Sequence, residues 1–301
     1  MLGRVRGYFA EQDVLEVDTP AISAFATSDP NIDSIELAGD FANQWLHTSP
    51  ESSMKCLLAA GYPDIYAVSR VFRGGERGAR HLAEFTLLEW YRLGFQLTEI
   101  IRDTTALIAQ CLEQEVLAHE LTIVDYADLF ETCCGVNVFT DSVATLVQAA
   151  DADKTMLDAL GDDRAAWLDL LLVTQVAPSF PADRLTVLQH YPSDQAALAR
   201  KCPADARVAD RFEVFLGPLE LANGYVELTD AAEQRQRFLQ DAEGRRAAGK
   251  PATPIDELLL AALEHGLPPC AGVAVGFERL QMIYDNTDDI ADVVTFVDRN
   301  G

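Results

Sequence analysis

Val68–Arg92 reads VSRVFRGGERGARHLAEFTLLEWYR, and its two flanks decide the architecture. Tyr66–Arg73 and Glu84–Tyr91 are rich in β-branched and aromatic residues, which predicts a pair of strands. The connection Gly74–His81 is too polar for a core and too basic for a routine hairpin tip. On the second strand a two-residue period puts Phe85, Leu87, Glu89 and Tyr91 on one face. That face offers an aromatic plate, a carboxylate and a phenol, with Arg73, Arg80 and His81 nearby in sequence. Such a set suits a nucleotide, because a ring stacks a base while guanidinium groups hold phosphates in bidentate fashion. A hairpin with a solvated charged tip accounts for the same residues, and at this point both readings stand.

N-terminal to this stretch, residues 3–12 have helical periodicity, with Val5, Tyr8 and Phe9 on one side. Val14–Thr19 reads as a short strand ended by Pro20, which cannot donate to a ladder. Ser49-Pro50 starts a helix over Ser52–Ala60, with proline expected in the first turn and Glu51 near the positive end of the dipole. Glu51 is either that structural residue or a carboxylate aimed at a ligand amine.

On the C-terminal side the pattern predicts helices over 97–117, 125–134, 141–150 and 163–176, then a buried strand over Leu185–Gln189. The Cys133-Cys134 pair is expected at a helix end. Phe212–Leu228 reads as a hairpin turning at Gly217-Pro218, with Asn223-Gly224 as a competing turn. On the first choice Gly224 becomes a bulge or a close approach to a ligand. Either choice brings Glu220 and Glu227 to one sheet, where like charges destabilise unless a cation lies between them. Asp230 and Glu233 have capping-box spacing ahead of a polar helix reaching about Gly249. In Gly272–Leu280 small and β-branched residues alternate, so Gly272, Ala274 and Gly276 form a face with no bulk, and Arg279 follows into a helix start that favours anions. A helix packed tightly on glycines explains the same spacing.

Composition narrows the class. No apolar run is long enough to cross a bilayer, the best being Ala165–Val173 with Asp169 inside it. Met1 leads into a basic amphipathic segment and not a signal peptide, so a cytoplasmic location is expected. Six cysteines show no CxxC pair and no metal spacing with the five histidines, and are expected reduced and mostly buried. The net charge of −25, with 23 scattered Lys and Arg, opposes phosphate backbones and weighs against a nucleic-acid partner. No repeat or linker divides the chain, so residues 1–301 are expected to form one domain with a more variable helical region at about 125–209.

Val17–Pro20, Phe72-Arg73 with Glu84-Phe85, and Gly272–Arg279 stand in the order and spacing of motifs 1, 2 and 3 of the class II aminoacyl-tRNA synthetases, which the chain resembles. Thr48-Ser-Pro-Glu51, Glu84–Tyr91, Glu220–Glu227 and His265-Gly-Leu-Pro-Pro269 are similar to the lysyl subgroup. The sequence begins at motif 1 without the anticodon-binding barrel of that subgroup. With Trp90-Tyr91 and Tyr191–Ala199, this makes it resemble the elongation factor P–lysine lysyltransferase family.

The resemblance implies an α+β fold, an antiparallel sheet flanked by helices, in a homodimer built on motif 1. It implies activation of lysine or (R)-β-lysine with ATP and Mg²⁺, and transfer to a lysine of elongation factor P, with tRNA disfavoured. Arg73 would hold the α-phosphate and the substrate carboxylate, and Phe85 would stack adenine. Glu76, Arg80, His81, Leu221 and Gly276 would complete the ATP site, with Glu220 on Mg²⁺ and Arg279 on the γ-phosphate. Glu227 and Tyr91 would receive the side-chain ammonium, Glu51 with Ser49 the other amino group, and Ala274 would form the pocket wall. Two departures mark the motif 2 loop: Leu82-Ala83 replaces the family's Asn-Pro, and Gly74-Gly75 displaces the acidic residue after Arg73, a role left to Glu76. A truncated lysyl-tRNA ligase and an inactive synthetase-like binding protein are the alternatives.

Overall fold

The computed structural model describes residues 1–247, 249–251 and 253–297. In chain order, α1 (Leu2–Ala10) and β1 (Leu15–Glu16) precede β2 (Ile22–Ser23), β3 (Ile35–Glu36) and β4 (Trp45–Leu46), then α2 (Glu51–Ala59), β5 (Ile65–Phe72) and β6 (Glu84–Leu93). Next come α3 (Leu97–Leu112), β7 (Leu121–Asp125), α4 (Tyr126–Cys134), α5 (Val143–Ala149), α6 (Lys154–Leu160), α7 (Arg164–Leu171) and β8 (Leu185–Gln189). A short pair, β9 (Lys201–Cys202) and β10 (Asp205–Ala209), leads to β11 (Arg211–Leu216) and β12 (Leu219–Val226). The chain closes with α8 (Ala231–Ala247), α9 (Glu257–Gly266), β13 (Cys270–Gly276) and α10 (Phe277–Asp285). The fold is α+β with antiparallel pairing dominant, as expected. Packing divides the chain into two compact units: Met1–Gln96, Gln110–Glu113 and Glu227–Gly301 form one, Leu97–Ala109 and Gln114–Val226 the other.

In the first unit the strand order is β1-β5-β6-β13. β5 and β6 pair antiparallel from Ile65↔Tyr91 to Phe72↔Glu84, so the decisive stretch is the long hairpin its sequence predicts. β13 pairs with β6 through Gly272↔Tyr91, Ala274↔Glu89 and Gly276↔Leu87. Cross-strand partners share a face, so the small residues of β13 line up beside the aromatic and acidic residues of β6. On the other face, Phe9 of α1 stacks on Tyr66 at 4.2 Å and meets Trp90 edge-on at 5.5 Å. Val5, Tyr8 and Phe9 are the buried side of α1, which anchors the motif 1 helix by apolar burial.

In the second unit β12, β11 and β8 run antiparallel in that order, and β7 joins β8 in parallel. Gly217-Pro218 is the turn, with Leu216 paired to Leu219 and Gly217 at φ +54°. Glycine adopts that left-handed conformation without a Cβ penalty. Tyr126, Phe130, Trp167, Leu168 and Tyr191 centre the core of this unit.

Several local expectations are corrected. The register shift in the hairpin falls where Val214 pairs Ala222 and Phe215 pairs Glu220, so Leu221 is the extra residue. Gly224 is a regular partner of Phe212 and no bulge. Pro50 sits at the N-cap of α2, ahead of the first turn. The helix expected over 97–117 stops at Leu112, and α7 gives way at Leu171 to a π-turn over Leu172–Val176. α6 was not expected: it buries no residue, so it has no apolar stripe to read, and its one signal is the Asp153 cap on the Met156 amide. All six cysteines are free, but only Cys111 and Cys270 are buried. The spacing of Asp230 and Glu233 yields a cap on α8, Asp230 Oδ1 accepting from the Glu233 amide at 2.9 Å, while the Glu233 carboxylate accepts from Arg237 Nη2 at 2.7 Å.

Candidate active site

The hairpin between β5 and β6 carries Arg73, Glu76, Arg80 and His81 on and beside its connecting loop. Arg73 is fixed by its backbone amide, which donates to the Ala83 carbonyl at 2.9 Å. Its guanidinium lies 5.1 Å from the centre of the Phe85 ring and 3.7 Å from Glu76. The Arg73 Nε is buried and has no hydrogen-bond partner. A buried donor is costly to leave unpaired, so an acceptor such as a phosphate oxygen fits here. Gly78 and His81 exchange backbone hydrogen bonds at 3.1 and 3.2 Å, tightening the loop tip around Arg80, which is half-buried. His81 Nε2 accepts from Arg279 Nη2 at 2.8 Å, which joins the motif 2 loop to α10. Gly276 is the N-cap of α10, so Arg279 stands in the first turn as expected.

Sequence reasoning missed Glu278 beside that arginine. Its buried carboxylate accepts from the Thr86 amide at 2.9 Å and from Thr86 Oγ1 at 2.7 Å. It thereby ties α10 to the face of β6 opposite Phe85. A cavity of about 1260 Å³ opens on that opposite side, against Arg70, Glu84, Thr86, Glu278 and Ile290. Arg73, Phe85, Glu89 and Tyr91 do not line it.

Further along β6 lies a buried acidic cluster. Glu89 is 3% exposed and accepts from Ser49 Oγ at 2.7 Å and from the Tyr91 hydroxyl at 2.5 Å. Burial, and then the charge of Glu51, push its carboxyl up to about 7 against those hydrogen bonds. Ser49 Oγ also accepts from the Glu51 amide at 2.9 Å, so this one hydroxyl starts α2 and holds Glu89. Glu227 is 2% exposed, and burial pushes it up to about 8 against the pull of Lys55. Lys55 Nζ stands 2.5 Å from both Glu51 Oε1 and Glu227 Oε2. The sequence points to Ser49, Glu51, Tyr91 and Glu227 here and not to Lys55, and it puts Glu89 only on the face that suits a nucleotide. The readable signal for Lys55 was the i,i+4 spacing from Glu51 on a predicted helix.

Gly272 closes the cluster. A Cβ there would stand 2.6 Å from Glu227 Oε1 and closer still to the Tyr91 ring, so only glycine admits both side chains. Ala274, half-buried and opposite Glu89, is the next wall residue.

The second unit carries the remaining expected residues. Glu220 lies on β12 opposite Phe215, and Leu221 is buried at the bulge. Glu213 on β11, which sequence reasoning missed, is pushed up to about 7 by burial and then by the charge of Glu220. Two carboxylates in one low-dielectric place are the hard oxygen donors a divalent cation requires. Arg211 Nη2 holds one Glu213 oxygen at 2.7 Å.

Over residues 1–300 the chain matches the family of class II tRNA synthetases (D, K and N). Among curated proteins it is 40% identical over 302 residues to the "Elongation factor P--(R)-beta-lysine ligase" of Haemophilus influenzae, covering 98% of this chain and 92% of that one. The proteins of the same name from Hamiltonella defensa (39%, 98% and 92% covered) and Edwardsiella ictaluri (40%, 99% and 93% covered) are similar to it in the same way. The chain belongs to the class II tRNA synthetase family, in its elongation factor P–(R)-β-lysine ligase group. Within that family the chain is a ligase. The described residues contain no helix long and apolar enough to cross a membrane.

Proposed function

We propose that this chain uses ATP to activate (R)-β-lysine and transfers it to a lysine of elongation factor P. The observation that carries the reading is the buried acidic pocket of Glu51, Glu89 and Glu227 on the β6–β13 face, in a chain 40% identical to ligases of that name. In the first step a substrate carboxylate oxygen attacks the α-phosphorus, the bond to the β-phosphate oxygen breaks, and pyrophosphate leaves. In the second, a protein amine attacks the activated carbonyl, AMP leaves and an amide forms.

Arg73 meets the charge that develops on the α-phosphate, its Nε being a donor in need of an acceptor. Adenine stacks on Phe85, one side of which Arg73 covers. Arg279, held by His81, takes the γ-phosphate and assists pyrophosphate release, while Glu76, Arg80 and Gly276 add nucleotide contacts within the same unit. Glu220, with Glu213 beside it, would hold Mg²⁺, which supplies charge neutralisation on the phosphates. Glu227 with Tyr91, and Glu51 with Ser49, receive the two ammonium groups, and Ala274 shapes the wall between them. No covalent enzyme intermediate is required; positioning and electrostatics carry the reaction.

The chain acts as one catalytic domain, as a cytoplasmic homodimer through motif 1, where Leu2, Leu15 and Ile22 remain exposed. Sedimentation at micromolar concentration checks the dimer. Pyrophosphate exchange with (R)-β-lysine and with α-lysine, followed by transfer to elongation factor P or to tRNA, tests the activity. Exchange without transfer to elongation factor P overturns the acceptor, and no exchange with either isomer overturns the ligase reading.

A further inference from the structure

Lys55 occupies a place that the substrate reading leaves unexplained. Its side chain is 2% exposed, on an α2 face that also buries Met54 and Leu58. A lysine is almost never buried so completely unless it is paired. Here the ammonium stands 2.5 Å from Glu51 and 2.5 Å from Glu227, the two carboxylates proposed to receive the substrate's two amino groups. The charged and titratable groups that face Glu227 are Lys55 and Glu51 from α2, Glu89 and Tyr91 from β6, and Cys270 from β13. Three of these are carboxyl groups counting Glu227 itself, and they face one ammonium in a low-dielectric site. Without a resident cation, such carboxylates relieve their repulsion by taking up protons. A protonated carboxyl gives an incoming ammonium little electrostatic preference.

We propose that Lys55 is the resident counter-ion of the amine pocket, a positioning residue that offsets the repulsion between Glu51 and Glu227 and holds them at a fixed separation for a substrate with two ammonium groups. This rests on the ligase reading of the site. The chemistry of lysine suits the part: a compact point charge on a flexible stem has three donors to share and can shift as substrate enters. The gap between Glu51 and Glu227 is thereby held at the width of an ammonium before any ligand arrives. The pocket selects diamino acids because its remaining negative charge is left for them to neutralise. Lys55 thus sets how many positive charges are accepted, while Ala274 and Gly272 set the shape.

Calorimetric titration of the full chain tests this without ATP chemistry. The ligands are (R)-β-lysine and a β-amino acid of the same chain length lacking the terminal amine, measured across neutral and alkaline pH. In wild type, affinity for β-lysine rises with pH as Glu89 and Glu227 ionise and exceeds that for the neutral-tail analogue. In Lys55→Met the midpoint of that rise moves to higher pH by about one unit or more, and preference over the analogue falls about tenfold or more at neutral pH. Lys55→Arg, which keeps the charge, holds the midpoint near that of wild type even where affinity drops. Lys55→Met with Glu51→Gln removes one carboxylate together with the cation and brings the midpoint back; it carries the same test if the single variant does not fold. An unchanged midpoint and unchanged preference in Lys55→Met overturn the proposal and leave Lys55 a packing residue. So does a wild type that binds no diamino acid. Pyrophosphate exchange is scored separately: binding that follows this pattern without exchange sinks the ligase reading and leaves the role of Lys55 standing.

Discussion

In the first unit Lys55 stands between Glu51 and Glu227, with Glu89 close by; in the second, Arg211 pairs with Glu213, and Glu220 adds its charge. Both clusters bury a carboxyl whose pKa rises to about 7 or 8, and in both burial is the leading cause. The cations differ. Arg211 is fixed on several sides: it lies 4.4 Å from the centre of the Tyr191 ring and donates to the Gln195 carbonyl at 2.6 Å and to Asn223 Oδ1 at 3.3 Å. A planar fork held that way is scaffold, and its carboxylate partner is presented in one orientation. Lys55 presents a point charge on a rotatable stem, and its partners can be shared with an incoming amine. Burial and a raised pKa are common to both clusters; what differs is the cation, a planar fork in one and a point charge on a flexible stem in the other.

Breaking the brace should cost the most. Arg211→Met leaves Glu213 buried beside Glu220 without its cation and should lower stability by about 3–5 kcal/mol, read from urea unfolding. A loss below about 1 kcal/mol would mean that Arg211 is no more structural than Lys55. Glu227→Gln strikes the other cluster, where the expected effect is on binding: affinity for the lysine-like substrate should fall by about 2–5 kcal/mol. Unchanged affinity in that variant removes Glu227 from the amine pocket. Ala274→Gly changes shape at the first cluster without changing charge. Deleting one methyl opposite Glu89 should shift kcat/KM toward α-lysine relative to (R)-β-lysine by about 1–3 kcal/mol, since the isomers place an amine one carbon apart along that wall. A constant ratio between isomers in pyrophosphate exchange rules out the steric filter and leaves the ligase assignment intact.

The effect spread most thinly, pH unit by pH unit, is on the pH dependence of stability. Glu89 and Glu213 have folded values of about 7, against 4.5 for an ordinary glutamate, so between those values the folded chain binds more protons than the unfolded one. Their contribution is therefore full below about pH 4.5 and is lost as pH rises through about 7, at no more than about 1.4 kcal/mol per pH unit each. His47, whose pKa burial lowers, contributes with the opposite sign, so the test is a difference between proteins. Glu213→Gln and Glu89→Gln should each flatten the fall in unfolding midpoint between pH 5 and 7 relative to wild type. A parallel pH profile in either variant removes that carboxyl from the account.

The sequence by itself determined the β5–β6 hairpin, the Gly217-Pro218 turn, the α1 apolar face and the identities of Arg73, Phe85, Glu227 and Arg279 as the residues to watch. These follow from local rules: a two-residue alternation, a turn residue, a helical stripe, and motifs in a fixed order. α6 escaped because a helix that buries no residue leaves no stripe to read. The bulge at Leu221 escaped because register is settled by partner strands on both sides, not by the glycine nearest to it. Only the tertiary structure decided that Lys55 lies between Glu51 and Glu227, that Glu278 clamps Thr86, and that Glu213 stands beside Glu220. Glu227 is 172 residues from Lys55 along the chain, and a charge pair at that distance leaves no periodic trace. Pattern shows which face of an element turns inward; which buried charges meet there is set by the packing of elements remote in sequence, and so is the chemistry they can perform.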